Sequence, residues 1–295
     1  MKASPEKSSG TYELLDSGGG WRLERIGPYR VARQASHACW EKRLPAADWD
    51  DVDGVHHHLA TGGGRWEFRR ETPESWTIDY EGMRLLVRLT DFGHIGLFPE
   101  QADNWRFLRE RLGRKELGRV PRPARVLNLF GYTGAGTLAA LAAGAEVVHV
   151  DASKGAVEWA KENARLSGVA ERPVRWLVDD AQKFLRREVR RGSRYDGVVL
   201  DPPSFGRGRK GEVWKFEDSL ADLLADVRAL LSEEPLFVVF SCHTPGFSAL
   251  TTEIVLKDHL LGVLPRFESG EMTIPQSSRA EPYPNGVFCR FQGTS

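Results

Sequence analysis

The 295-residue sequence has only three cysteines, Cys39, Cys242 and Cys289, odd in number and far apart. That excludes a disulfide framework and fits a reducing compartment. No run approaches the ~18 uninterrupted apolar residues of a membrane span; the most apolar candidate, Thr137 to Val150, is short and broken by Glu146. The first residues, Met1 to Glu13, contain no apolar core of a signal peptide, so a cytoplasmic protein is expected. An excess of charge of one sign is also missing. Lys+Arg and Asp+Glu both number 41, and a net charge of zero removes any whole-molecule polycation argument for nucleic acid. The apolar fraction of 41% and charged fraction of 28% are those of a soluble globular chain long enough for about two domains.

Residues 1–10 read as a polar tail. From 11 to about 94, short alternating segments between glycine turns predict a small β-rich domain with no helix of consequence. Its tryptophans, Trp21, Trp40, Trp66 and Trp76, read as core rather than as a base-stacking platform. His56-His57-His58 lacks carboxylate or cysteine neighbours at metal-ligand spacing, so no metal is expected. Pro99 to Leu117 carries Trp105, Leu108 and Leu112 at helical spacing, and Val120 to Ala124 reads as a hinge.

The second domain, 95–295, changes texture. Strands are expected at 124–130, 145–151, 173–179, 195–201 and 235–242, with helices near 136–143, 153–166, 180–191, 215–232 and 247–261. Five such repeats predict a parallel, doubly wound α/β sheet covered on both faces. Two final segments with no helix between them predict a hairpin that closes the sheet antiparallel.

Ligands of open α/β sheets sit at the carboxyl ends of the strands. There the sequence places the turn Phe130-Gly131-Tyr132-Thr133-Gly134, then Asp151, Asp179-Asp180 and Asp201-Pro202-Pro203-Ser204-Phe205. Glycines let backbone approach a ligand closely, and an acid about twenty residues on is suited to a ribose diol. Each aspartate could instead merely cap a helix; three doing only that beside such a turn is the weaker reading.

In this order these motifs resemble the class I S-adenosylmethionine (SAM) methyltransferases, over about residues 95–292. More narrowly they are similar to the branch that methylates large-subunit ribosomal RNA at cytosine carbon 5 or guanine nitrogen 7. The resemblance implies a Rossmann-like seven-stranded, mostly parallel sheet with a C-terminal antiparallel hairpin, preceded here by the small β-rich domain. It implies SAM as cofactor, with Asn128, Phe130, Tyr132, Thr133 and Gly134 around its methionine part. Asp151 would hold the ribose with Ser153 nearby, Asp179-Asp180 would face the adenine, and Phe98 and Gln101 would lie over the cofactor. Residues 11–90 do not match the RNA-binding PUA domain with which the 5-methylcytosine members begin.

For the acceptor, the resemblance points to a base of structured RNA, most simply a ribosomal cytosine. Carbon 5 of cytosine needs a thiolate on carbon 6 before it can accept a methyl group. Cys242 is the candidate nucleophile, with His243 positioned to lower its pKa; the alternative is a small residue packed at a strand end. Asp201, Pro202 and Pro203 would position the base, and Phe205 or Trp214 would hold it outside its stack. Arg207, Arg209 and Lys210 in the loop after them would grip phosphates, while Arg186, Arg187, Arg190 and Arg191 read equally as a solvated helix face. If Cys242 only packs, the acceptor is a guanine nitrogen, a protein or a small molecule. A nicotinamide dehydrogenase would give Asp179-Asp180 and Asp201-Pro202-Pro203 no role, and a non-enzymatic RNA-binding protein would not need the whole motif set.

Overall fold

The computed structural model describes residues 10–59, 63–113, 123–207, 213–260, 262 and 264–293. The chain divides into two compact units: Met1–Glu100 with Thr273–Pro284, and Gln101–Met272 with Asn285–Ser295. Among the described residues no helix is long and apolar enough to cross a membrane.

In the first unit a five-stranded sheet takes the chain in order, with β1 (Tyr12–Gly18), β2 (Trp21–Ile26) and β3 (Tyr29–Gln34) as an antiparallel meander. After α1 (Ala46–Asp50), β4 (Gly54–His58) joins parallel to β3, and β5 (Gly64–Phe68) forms the antiparallel edge. A separate antiparallel ribbon joins β6 (Trp76–Tyr80) to β7 (Met83–Val87). The expectation of no helix fails by one turn and a half: α1 places Trp49 in a core with Leu15, Leu23, Ala32, Val52 and Val55. Trp76 is buried and Trp21 packs on that core, whereas Trp40 and Trp66 stay half-buried. Polar pattern alone misses a buried charge: Glu24 accepts from Tyr12 Oη and from Nε and Nη2 of Arg33. Segment 273–284, expected as a loop of the second domain, belongs to this unit. Its Ser277 and Ser278 amides donate to Leu14 and Leu15 carbonyls, and Gln276 Oε1 accepts from Ser17 Oγ.

The second unit begins with α2 (Ala102–Gly113), after a single 3-10 turn at Pro99–Gln101. The alternation then runs β8 (Arg125–Leu129), α3 (Ala135–Ala142), β9 (Glu146–Asp151), α4 (Lys154–Leu166), β10 (Val174–Val178), α5 (Ala181–Arg191) and β11 (Gly197–Leu200). A short ribbon, β12 (Phe205–Arg207) and β13 (Val213–Lys215), interrupts it before α6 (Phe216–Leu230), β14 (Phe237–Cys242) and α7 (Ala249–Leu260). The last strands are β15 (Arg266–Ile274) and β16 (Tyr283–Gln292). Sheet order is β10-β9-β8-β11-β14-β16-β15, the first five parallel and β16 antiparallel to β14. This is the expected seven-stranded α/β fold.

Two details differ from a sheet covered on both faces. β10 is an edge strand with Val178 40% exposed, because nothing pairs with its outer side among the described residues. The glycine-rich segment after Phe205 opens as the β12–β13 ribbon rather than as a plain loop.

Candidate active site

Register aligns the strand ends. Leu129 pairs with Val150 and Leu200, Asp151 with Val178, and Leu200 with Phe240. The turns after these residues therefore share the carboxyl edge of one sheet, on either side of β8, where the strand order reverses.

The turn after β8 is bent by its own backbone. Phe130 and Tyr132 hold left-handed φ of 55° and 47°, a region unfavourable for aromatic residues, and Gly134 follows at 89°. Four bonds among the described residues keep it there: Gly131 N–H to Val150 O, Tyr132 N–H to Asp151 Oδ2, Gly134 N–H to Gly131 O, and Asn163 Nδ2 from α4 to Thr133 O. Gly131 also needs its missing side chain, since a Cβ there would stand 2.4 Å from the His149 ring. His149 lies fully buried beneath the turn, and burial pushes its pKa down to about 3. Thr137 Oγ1 lies 2.9 Å from its Nδ1 and accepts from Asn128 Nδ2 at 2.8 Å. Asn128 thus commits an amide hydrogen to the support under the turn.

Asp151 bridges the second turn. Its Oδ2 accepts from Tyr132 N–H at 2.9 Å and its Oδ1 from Ser153 N–H at 2.8 Å, while burial holds the carboxyl above its usual value. Ser153 spends its hydroxyl as the cap of α4, on Ala156 N–H. Asp179 accepts from Asp180 N–H and pairs with Arg187. Asp180 caps α5 through Lys183 N–H, the helix-capping role open to each of these aspartates.

On the other side of β8, Asp201 Oδ2 accepts from Gln101 Nε2 at 3.0 Å, and its Oδ1 lies 3.4 Å from His243 Nδ1. Gln101 also donates to Ser241 Oγ and accepts from Asn104 Nδ2 at 2.6 Å; Asn104 Oδ1 in turn accepts from Arg290 Nε at 2.7 Å. Pro202 is buried and Pro203 exposed, the Pro203 carbonyl taking the Trp214 indole N–H. Trp214 lies 5.6 Å from Phe130 between ring centroids, and Phe205 stands 53% exposed. Cys242 is 1% exposed in the apolar core; burial pushes its thiol up, and its Sγ accepts from Thr244 N–H at 3.4 Å.

A family model described as S-adenosylmethionine-dependent methyltransferase matches residues 28–232. The chain belongs to that family. This methyltransferase is 37% identical to the SAM-dependent methyltransferase from Agrobacterium tumefaciens, with a TM-score of 0.88 over 99% of this chain and 97% of that one. It is 35% identical over 61% of its length to ribosomal RNA large subunit methyltransferase I of Aeromonas salmonicida, covering 41% of that protein. Against ribosomal RNA large subunit methyltransferase K/L of Vibrio cholerae it is 31% identical over 61% of its length, covering 24% of the relative. The matched part thus spans less than half of either curated relative. SAM is the cofactor of the methyltransferase.

Of the residues picked from the methyltransferase sequence, the second unit brings together Gln101, Asn128, Phe130, Tyr132, Thr133, Gly134, Asp151, Ser153, Asp179, Asp180, Asp201, Pro202, Pro203 and Cys242. Phe98 falls in the first unit, where its ring meets His94 edge-on at 5.4 Å. Arg207 ends β12, and Arg209 and Lys210 lie outside the described residues. Sequence reading missed Asn104 and Arg290. No local spacing signals either one; Arg290 stands 186 residues after the asparagine it supports.

Proposed function

We propose that this methyltransferase moves the methyl group of SAM to a base of structured RNA, ribosomal RNA in the simplest case, in the cytoplasm. The observation that carries the reading is Asp201, anchored by Gln101 and facing His243, at the same sheet edge as the Phe130–Gly134 turn and followed in the chain by the exposed Phe205. A carboxylate acceptor and an exposed aromatic residue on the segment that follows it suit an extruded base, whose edge is hydrogen-bonded and whose face is stacked. The names of the two ribosomal RNA methyltransferase relatives support the same acceptor class.

The residues present fit SAM. Each Asp151 oxygen spends one acceptor site on a backbone N–H, and an ionised carboxylate offers about four, so capacity remains for a ribose diol. The turn Phe130–Gly134 would carry the methionine part, with Asn128 supporting it from below and Gln101 and Ser153 alongside. Asp179 and Asp180 would lie toward the adenine, against the exposed Val178. Bound SAM supplies a methyl group already activated by its positive sulfur. The protein's share is to orient the acceptor, exclude water and take up a proton.

We read the acceptor as a base nitrogen. A thiol buried and raised like that of Cys242 is not a thiolate at neutral pH, and only the thiolate adds to cytosine carbon 6. Cytosine carbon 5 is the second reading, favoured by the Thr244 N–H aimed at Cys242 Sγ. In either case Arg207, Arg209 and Lys210 are proposed to meet phosphates. The test is transfer from labelled SAM to RNA of a strain lacking the gene, digested to nucleosides, with parent RNA as control. Label confined to the deletion-strain RNA is expected, and the labelled nucleoside decides between guanine and cytosine. No label in RNA or intact ribosomal subunits, with SAM bound, overturns the RNA acceptor.

A further inference from the structure

Four side chains of the second unit form a chain of hydrogen bonds whose direction is fixed at one end. Arg290 Nε can only donate, so the Asn104 atom it meets at 2.7 Å is the carbonyl oxygen. Asn104 therefore turns its amide nitrogen to Gln101 Oε1, at 2.6 Å, and Gln101 turns its own nitrogen to Asp201 Oδ2, at 3.0 Å. Arg290, Asn104 and Gln101 are all buried, 7%, 2% and 8% exposed, so water does not scramble the order. The end of the chain is a carboxylate obliged to accept. Its second oxygen faces His243 Nδ1 at 3.4 Å. The imidazole is seated by Gly286 of β16, where a Cβ would stand 2.9 Å from His243 Cδ2.

We propose that Asp201 and His243 form a proton-accepting pair for methyl transfer, and that Asn104 and Arg290 are positioning residues that set its polarity. The proposal rests on the nitrogen-acceptor reading above, for a base nitrogen that carries a hydrogen. An ionised Asp201 selects the imidazole tautomer with its hydrogen on Nδ1, which makes Nε2 the basic nitrogen. As the acceptor nitrogen bonds to the methyl carbon, the methyl–sulfur bond breaks with its electron pair left on sulfur. Where the acceptor nitrogen carries a hydrogen, as an exocyclic base amine does and guanine nitrogen 7 does not, that proton passes to His243 Nε2, and the resulting imidazolium faces the Asp201 carboxylate. Among the described residues, Asp201 after β11 and Cys242 of β14 are titratable groups that act on the imidazole. β16 presents Gly286 to it.

The first measurement is nitrogen NMR of the full chain labelled in histidine, with His243 assigned by its loss in His243→Gln. A neutral ring protonated on Nδ1 is expected; protonation on Nε2 overturns the pair. The second is kinetic. His243→Gln keeps a donor for Asp201 but no base, so kcat should fall about 10²- to 10⁴-fold with SAM affinity unchanged. Asn104→Asp has nearly the same shape but only acceptors, so Gln101 must reverse and present its oxygen to Asp201. This variant should lose kcat and, as a merely structural role would not, shift the pH–rate profile and change the His243 tautomer. Full kcat in His243→Gln, or an unmoved pH profile in Asn104→Asp, overturns the proposal. If the wild-type protein labels no RNA, the acceptor reading fails, while the tautomer still decides the pair.

Discussion

At the scale of single residues, Cys242 and Asp151 carry opposite expectations. The Cys242 thiol sits in the apolar core with its pKa raised by burial, so it contributes packing. Cys242→Ala should therefore keep methyl transfer and cost about 1 kcal/mol of stability for the small cavity. Abolished transfer with intact SAM binding would instead restore the covalent route to cytosine carbon 5. Asp151→Asn should weaken the cofactor site. The amide offers one acceptor atom where the carboxylate offers two, so either Tyr132 N–H or Ser153 N–H would face a donor. A loss of about 1.5–3 kcal/mol in SAM binding is expected by calorimetry, the range for hydrogen bonds to a charged group; unchanged affinity would remove Asp151 from the ribose role. Residues such as these were legible because each ends a strand whose apolar run is visible in the sequence. Asn104 and Arg290 were not, because nothing in their neighbourhoods distinguishes a relay from an ordinary helix and strand.

At the scale of elements, the turn after β8 is a strained arch braced from below. Gly131→Ala drives a Cβ to 2.4 Å from His149, and overpacking of this kind costs about 1–3 kcal/mol. The loss should shrink in a His149→Ala background, which a double-mutant cycle in urea would measure; an unchanged loss would assign the strain elsewhere. His149 also makes the element acid-sensitive. It is neutral when folded, with pKa about 3, and takes a proton near its ordinary 6.5 when unfolded. The unfolded state thus binds more protons between those values, so stability declines as pH falls from about 6.5, by up to roughly 1.4 kcal/mol per pH unit. His149→Asn should flatten that slope above pH 5, where carboxylates add little; an identical slope would exclude His149 as its source. Helices and strands of this alternation were readable because each strand is a short apolar run and each helix a periodic one. The β12–β13 ribbon and α1 were hidden by their shortness, and β10 looked buried because its residues are apolar although its edge is open.

At the scale of the whole molecule, the first unit is assembled from two stretches of chain. Sequence texture drew the boundary near residue 94 and kept everything after it in one domain, because local pattern cannot reveal which distant strand a proline-rich segment pairs with. Residues 273–284 are held to β1 by backbone and side chains, and Asp16 is the joint. It is fully buried, accepting at Oδ2 from Arg43 N–H, Leu44 N–H and the Trp49 indole, and at Oδ1 from Ser278 Oγ. Asp16→Ala would leave these donors without their acceptor, and a single buried unsatisfied group costs about 1–3 kcal/mol. A total loss of roughly 3 kcal/mol or more is expected, concentrated in the first unit. Hydrogen exchange separates this from a general loss of stability. The Ser277 and Ser278 amides, bonded to Leu14 and Leu15, should exchange faster in the variant, with β8 and β11 amides protected as before. Uniform acceleration through β8 and β11 would mean that the two units unfold as one, and unchanged exchange at Ser277 and Ser278 would mean that the segment is held without Asp16.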